Sequence, residues 1–201
     1  MNYEVFQLIH GWSGHFSWLD SAMVFISKYA LLLFAICLVV LWLGGSKQVK
    51  RAVLYAGFTG IAALIVNNMI GHIYFEPRPF VSHPVNLLYP HAEDASFPSD
   101  HSTGAFALAI GILLRKRLTG NWGVSMLVLA VLTGLSRVYV GHHYPGDVLG
   151  SLVVAGVIGM LFLAGERLLA PIADLIIAIY DKIMRSLFGR RKSRTIGSGR
   201  S

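Results

Sequence analysis

At 201 residues the chain is long enough for one domain, and with 55% hydrophobic against 13% charged residues it is too apolar for a soluble globule. Its formal net charge of +7 is gathered in short basic clusters beside apolar runs, with no basic face interleaved with exposed aromatics. That pattern excludes nucleic acid as a partner and points to anionic lipid headgroups. The single cysteine, Cys37, lies in an apolar run, which excludes an internal disulfide and a cysteine-based metal site.

The predicted architecture is all-α: a polytopic membrane helical bundle of about five transmembrane helices, with interfacial helices at both ends. Residues 1–188 form the single membrane-embedded domain and 189–201 a basic, disordered tail. Met1 to Trp18 carries Glu4 but no Lys or Arg, so it lacks the charged head of a cleavable signal and the first span is expected to be retained. Tyr3, Phe6, Leu8, Ile9 and Trp12 fit a short interfacial helix stopped by Gly11 and Gly14, with His10 and His15 exposed. Span one runs from Leu19 to Leu43, with Asp20 and Lys28 near its outer end, where long polar side chains reach water cheaply. Gly44 to Arg51 is read as a loop holding Lys47, Lys50 and Arg51. Ala52 to Phe75 is span two, in which Asn67 and Asn68 are interhelical hydrogen-bonding residues and His72 a structural histidine.

The connection from Glu76 to Pro98 is rich in Pro and His, has no period, and is read as a surface cover that includes Glu93 and Asp94. Span three, Ser99 to Arg115, has Ser99 as its N-cap and would be about 25 Å long. Arg115-Lys116-Arg117 ends it. Span four runs from Trp122 to about Val140, and Gly141 to Gly146 makes a turn with Pro145 suited to the first position of the next helix. Span five is Val148 to Leu163. From Arg167 onward Leu168, Leu169, Ile172, Leu175, Ile176, Ile179, Ile183 and Leu187 share one helical face, so this segment is expected to lie along the membrane surface; Asp174 and Asp181 disfavour a sixth span.

Three polar islands stand at the edges of these apolar segments: Glu76-Pro77-Arg78-Pro79, Pro98-Ser99-Asp100-His101, and Ser136-Arg137 through His143 to Asp147. With five spans all three fall on one face, opposite the basic clusters, and the excess of Lys and Arg makes that opposite face cytoplasmic. The islands are then external. Together they supply two arginines, two histidines, a serine and carboxylates at a helix start whose unpaired N–H groups attract anions. This inventory suits attack on a phosphate by one histidine, cations to hold its oxygens, and a second histidine to protonate the leaving group. At i and i+4, Asp147 can take a hydrogen bond from one imidazole nitrogen of His143 and leave the other as the nucleophile. The forked guanidinium groups of Arg78 and Arg137 match phosphoryl oxygens.

In order, these islands resemble the three-part signature of the type 2 phosphatidic acid phosphatase superfamily. The third part fits fully: Ser136-Arg137, five residues, His143, three residues, Asp147. The resemblance implies a helical membrane bundle with its site at one surface. It also implies His143 as the nucleophile that forms a phosphohistidine, Asp147 as the carboxylate that orients it, and His101 as acid for the leaving oxygen and base for water. Arg78, Arg137 and Ser99 would hold the phosphate, with Ser136, Asp100 and Glu76 completing the substrate-binding set. Two positions depart from the family: a common lysine seven residues before Arg78 is Gly71 here, and the usual glycine of the second island is Asp100. The stretches Tyr74 to Phe80, Ala95 to His101 and Val140 to Pro145 look like the bacitracin-resistance subgroup, the undecaprenyl-diphosphate phosphatases of Gram-positive bacteria. That implies a polyprenyl diphosphate substrate, removal of its terminal phosphate at the outer face of the cell membrane, and recycling of the carrier for peptidoglycan synthesis. No cofactor or metal is expected, since no cluster with metal-ligand spacing stands outside the islands. The alternatives are a broader lipid phosphatase acting on phosphatidic acid or phosphatidylglycerol phosphate, and, in another class, a lipid flippase or transporter, whose midplane charges and inverted repeats are not found.

Overall fold

The structure, a computed structural model, describes residues 2–188, so the expected basic tail over 189–201 lies outside the described residues. Nine helices follow in order among the described residues: α1 (Asn2–His10), α2 (Ser17–Gly44), α3 (Lys47–Ile73), α4 (Pro79–Ser82), α5 (Asp100–Leu113), α6 (Lys116–Thr119), α7 (Trp122–Tyr139), α8 (Pro145–Ala164) and α9 (Glu166–Phe188). Four of them, α2, α3, α7 and α8, are long and apolar enough to cross a membrane. Their outward faces expose residues such as Ile36, Val39, Ile61, Ile65, Val128, Val131, Val153 and Val157, the side chains a hydrocarbon solvent would accept.

α5 is shorter than the third span expected over Ser99 to Arg115, and it still runs from the site end of the bundle to the basic end. It has 14 residues, about 21 Å of helix, short of a bilayer core, and it is packed on α3, α7 and α8 with α2 and α6 beside it. A helix enclosed by others need not match lipid thickness, and the composition of α5 suits enclosure. Ser102, Thr103, Gly104, Ala105, Ala107, Ala109 and Gly111 are all buried, and small side chains let backbones approach. A Cβ on Gly111 would stand 2.6 Å from Ala56 Cα, so α5 and α3 touch backbone to backbone there. Phe34, Phe106, Ile112 and Met126 fill the wider gaps.

Two further expectations change. Lys47, Lys50 and Arg51 are not in a loop but in the first turns of α3, because Ser46 caps that helix by accepting from Val49 N at 3.4 Å. They pair with α9, Lys47 and Arg51 with Asp174 and Lys50 with Asp181. In α9, Ala173 and Ile177 are buried, while Leu168, Ile172, Leu175, Ile179 and Ile183 stay exposed as one apolar row. α1 is more than a surface helix: Phe6 is 1% exposed and meets Tyr144 edge-on, Asn2 Oδ1 accepts from Gly146 N at 2.9 Å, and the His10 ring donates from Nδ1 to Tyr139 O at 2.8 Å. α1 therefore braces the turn between α7 and α8.

Chain direction sorts the helix ends into two groups. The ends of α3 and α7 and the starts of α5 and α8 carry all three polar islands. The start of α3, the stretch from the end of α5 into α6, and α9 lie at the other end and carry Lys47, Lys50, Arg51, Arg115, Lys116, Arg117, Arg167, Lys182 and Arg185.

Candidate active site

The position of His143 is built by a turn and a cap. α7 stops at Tyr139, Gly141 takes φ +91, which L side chains rarely adopt, and Pro145 occupies the first turn of α8 with its fixed φ. His143 is set just before that helix, and Asp147 becomes its third residue. Asp147 Oδ2 accepts from Tyr144 N at 2.8 Å and from Ser96 Oγ at 2.5 Å. His143 Nδ1 lies 2.9 Å from Ser96 O and 3.2 Å from Asp147 Oδ2, while its Nε2 is 2.8 Å from Arg78 Nη1.

These contacts assign the tautomer. A guanidinium can only donate, so Nε2 must accept, and the ring proton sits on Nδ1, donated to the Ser96 carbonyl and the carboxylate. Burial, then the charges of Arg137 and Arg78, hold the His143 pKa well below the usual imidazole value. The ring is neutral with a free pair on Nε2. Its neighbour His142, held by Nε2 to Tyr89 O at 3.0 Å, is pushed down to about 3, again mainly by burial.

The two arginines differ in their partners. Arg78, the N-cap residue of α4 and 3% exposed, uses every nitrogen: Nε to Asp94 Oδ1 at 2.8 Å, Nη1 to His142 O at 3.0 Å as well as to His143, and Nη2 to Ala95 O at 3.2 Å. Arg137, 1% exposed on the last turn of α7, gives Nη1 to Ser27 Oγ at 3.0 Å and to Tyr89 OH at 2.8 Å. Its Nε and Nη2 are buried and have no partner among the described residues. Unmet buried donors are costly and mark a place where a ligand supplies the acceptor.

At the head of α5, Ser99 is fully buried and its hydroxyl accepts from Ser102 N at 3.4 Å and Ser102 Oγ at 3.1 Å, leaving its own proton free. His101 is half-buried in the first turn, within electrostatic reach of Arg137, His91 and Arg78. Asn67 fixes this helix start: its amide donates to Pro98 O at 3.0 Å and Asp100 Oδ1 at 2.6 Å and accepts from Thr103 Oγ1 at 2.6 Å. Asp100 is thus exposed and tied to α3. Ser136 is placed differently from a substrate contact, because its hydroxyl donates to Thr133 O at 2.7 Å within α7. Glu76 contributes its backbone carbonyl, which accepts from Ser96 N at 2.8 Å; its carboxyl is pushed up by partial burial.

A cavity of about 360 Å³ opens beside Gly71, lined among others by Asn67, Asn68, His72, Asp94 and Asp100. A Cβ at Gly71 would meet Ala95 Cβ at an ordinary 3.5 Å. His72 is exposed on this cavity, its ring held to Asn68 O at 2.8 Å. No group of three or more His, Cys, Asp or Glu among the described residues is gathered as a metal would need.

Sequence reasoning missed three polar residues. Ser96 stands between two of the islands and hydrogen-bonds Asp147 and His143 together; its only signal is its place two residues before Pro98. Ser27 and Tyr89 reach Arg137 from an apolar span and an aperiodic loop, and nothing in their local sequence marks them.

Residues 52–167 match the PAP2 superfamily. The chain is 55% identical over 93% of its length to the Bacillus subtilis protein named undecaprenyl-diphosphatase BcrC, covering 95% of that protein. It is 32% identical over 91% of its length to the Bacillus licheniformis protein named bacitracin transport permease protein BcrC, covering 89% of it. Among solved structures, Aquifex aeolicus LpxE superposes with a TM-score of 0.64 at 26% identity, over 81% of this chain and 94% of that one.

Proposed function

The chain belongs to the PAP2 superfamily, and from that premise we propose that it is an undecaprenyl-diphosphatase that removes the terminal phosphate of the lipid carrier through a phosphohistidine. The observation that carries the reading is a buried imidazole of fixed tautomer, His143, in a site where Arg137 keeps an unpartnered guanidinium edge. The name of the Bacillus subtilis relative supports the substrate.

In the first step Nε2 of His143 attacks the terminal phosphorus in line, and the P–O bond to the bridging oxygen breaks. Asp147, Ser96 and the Ser96 carbonyl stabilise the positive charge that grows on the imidazole through Nδ1–H. The leaving undecaprenyl phosphate takes a proton from His101. In the second step His101 removes a proton from water, which attacks the phosphohistidine and returns His143 with release of orthophosphate. Arg78 gives up its bond to Nε2 when the phosphoryl group enters, and with Arg137, Ser99 and the first-turn N–H groups of α5 it holds the three equatorial oxygens.

The purified full chain in detergent should release phosphate from polyprenyl diphosphates faster than from phosphatidic acid or phosphatidylglycerol phosphate. Equal rates would make it a broad lipid phosphatase, and no phosphate from any of them would favour transport. The site is assigned to the outer face because Lys47, Lys50, Arg51, Arg115, Lys116 and Arg117 all lie at the opposite end. The exposed Ser82, changed to cysteine in a chain whose Cys37 is replaced, should react with an impermeant thiol reagent in intact cells. Reaction only after lysis would reverse the orientation.

A further inference from the structure

Arg137 is gripped at one corner only. Of its five N–H groups, the two on Nη1 are taken by Ser27 Oγ at 3.0 Å and Tyr89 OH at 2.8 Å, and those two hydroxyls lie 2.8 Å from each other. The triangle fixes the plane of the guanidinium. Its remaining edge, Nε with Nη2, is the one that meets two oxygens of a tetrahedral anion in parallel, and it has no partner among the described residues. Both acceptors are neutral. A carboxylate in their place, such as Asp94 beside Arg78, would orient the group but also cancel the charge that a phosphate needs.

Tyr89 is in turn held from three sides. Its ring lies under Lys28 Nζ at 4.5 Å, its ring edge meets His142 at 4.4 Å between centroids, and its carbonyl accepts from His142 Nε2 at 3.0 Å. It is carried by the 83–98 connection, which also supplies Asp94 and Ala95 to Arg78 and Ser96 to Asp147. We propose that Tyr89, with Ser27, is the positioning residue that aims the Nε–Nη2 edge of Arg137 at the phosphate, so that the seating of this one connection sets the phosphate clamp. The proposal rests on Arg137 being that clamp.

Vanadate, a mimic of the five-coordinate phosphorus, reads the clamp directly. In the full chain in detergent, Tyr89→Phe and Ser27→Ala are compared with the unchanged protein for the vanadate concentration that half-maximally raises the melting temperature, and separately for kcat, KM and the melting temperature without ligand. Tyr89→Phe is expected to need about tenfold more vanadate and to lose kcat/KM by a similar factor, the scale of one hydrogen bond to a charged group, and to lower the ligand-free melting temperature as well, because one buried N–H of Arg137 is left unpaired. Ser27→Ala should move the same quantities in the same direction, and it carries the test alone if Tyr89→Phe fails to fold. An unchanged vanadate requirement in the folded variants overturns the proposal, whatever happens to kcat, since a merely structural loss lowers the active fraction without altering affinity. Hydrolysis by the unchanged protein is scored independently. A protein inert toward polyprenyl diphosphates whose variants still need more vanadate would end the assigned reaction and keep the positioning role.

Discussion

The two ends of the bundle both carry charge, and they use it in opposite ways. At the basic end Arg51 and Asp174 approach to 2.6 Å, closer than any contact Arg137 makes, yet their side chains are 36% and 37% exposed. Exposed pairs are screened and ordering them costs side-chain entropy, so a short distance there means attachment of α9 and little more. At the site end Arg78, Arg137, His143 and Asp147 are each at most 3% exposed, and Arg137 and Asp147 retain polar atoms with no partner among the described residues. Desolvated groups with unmet bonds are expensive. Arg115 at the basic end is also buried with an unpartnered Nε, but its guanidinium is already paired with Glu166, so it is a cluster of buried groups with unmet bonds, not proximity of opposite charges, that distinguishes the proposed site.

Removing the proposed nucleophile breaks the contrast most severely. His143→Ala is expected to lose at least about a thousandfold in phosphate release, since no other group with a free pair replaces Nε2. Near-normal release would remove His143 from its role. Arg137→Gln, which keeps size but loses the charge and the fork, should cost about a hundredfold or more in kcat/KM and weaken vanadate in parallel. A smaller effect than Arg78→Gln would show that the saturated arginine, not the open one, is the main clamp.

Ser96→Ala sharpens the comparison within the site. It removes the hydroxyl bond to Asp147 but keeps the carbonyl that holds Nδ1–H, so kcat should fall about tenfold with KM nearly constant. A change confined to KM would place Ser96 against substrate instead.

Acid should also act at the site end. His142 and His143 have folded pKa values below the ordinary 6.5, so on acidification the unfolded chain takes up protons first. Their contribution is complete above about pH 6.5 and is lost as pH falls toward the folded values. The unfolding midpoint in detergent should therefore drop between pH 6.5 and 4, and less steeply in His142→Asn. A midpoint independent of pH in that range would mean that neither ring is kept neutral. The smallest effect belongs to the basic end: Asp181→Asn should lower stability by about 0.2–1 kcal/mol and leave phosphate release unchanged.

Much of this site was legible because its key residues are tied to local backbone devices. Ser99 is an N-cap, Pro145 begins a helix, and His143 and Asp147 are one helical turn apart, so spacing alone brings them together. The order of the apolar segments and the gathering of three islands at one end followed from the same periodicity. The enclosure of α5 was not legible in its apolar length, which reads the same in lipid and inside protein; its run of Gly, Ala and Ser was the available sign. Tyr89 and Ser27 were illegible for a different reason. They meet Arg137 across 48 and 110 residues of chain, and such contacts are set by packing rather than by any local pattern. Ser136, beside Arg137 in the motif, shows the converse: adjacency in sequence turned its hydroxyl back into its own helix.

The open edge of Arg137 does not distinguish an incoming phosphoryl group from a departing orthophosphate. A donor pair kept dry for one will hold the other, so in the proposed mechanism each cycle ends with a dissociation from the same two nitrogens that began it. Turnover would then be governed by how fast that small anion escapes, and hydrolysis would slow in phosphate-rich surroundings. Competitive product inhibition that weakens in Arg137→Gln is the signature of such throttling, and inhibition unaffected by that change would place the exit barrier elsewhere.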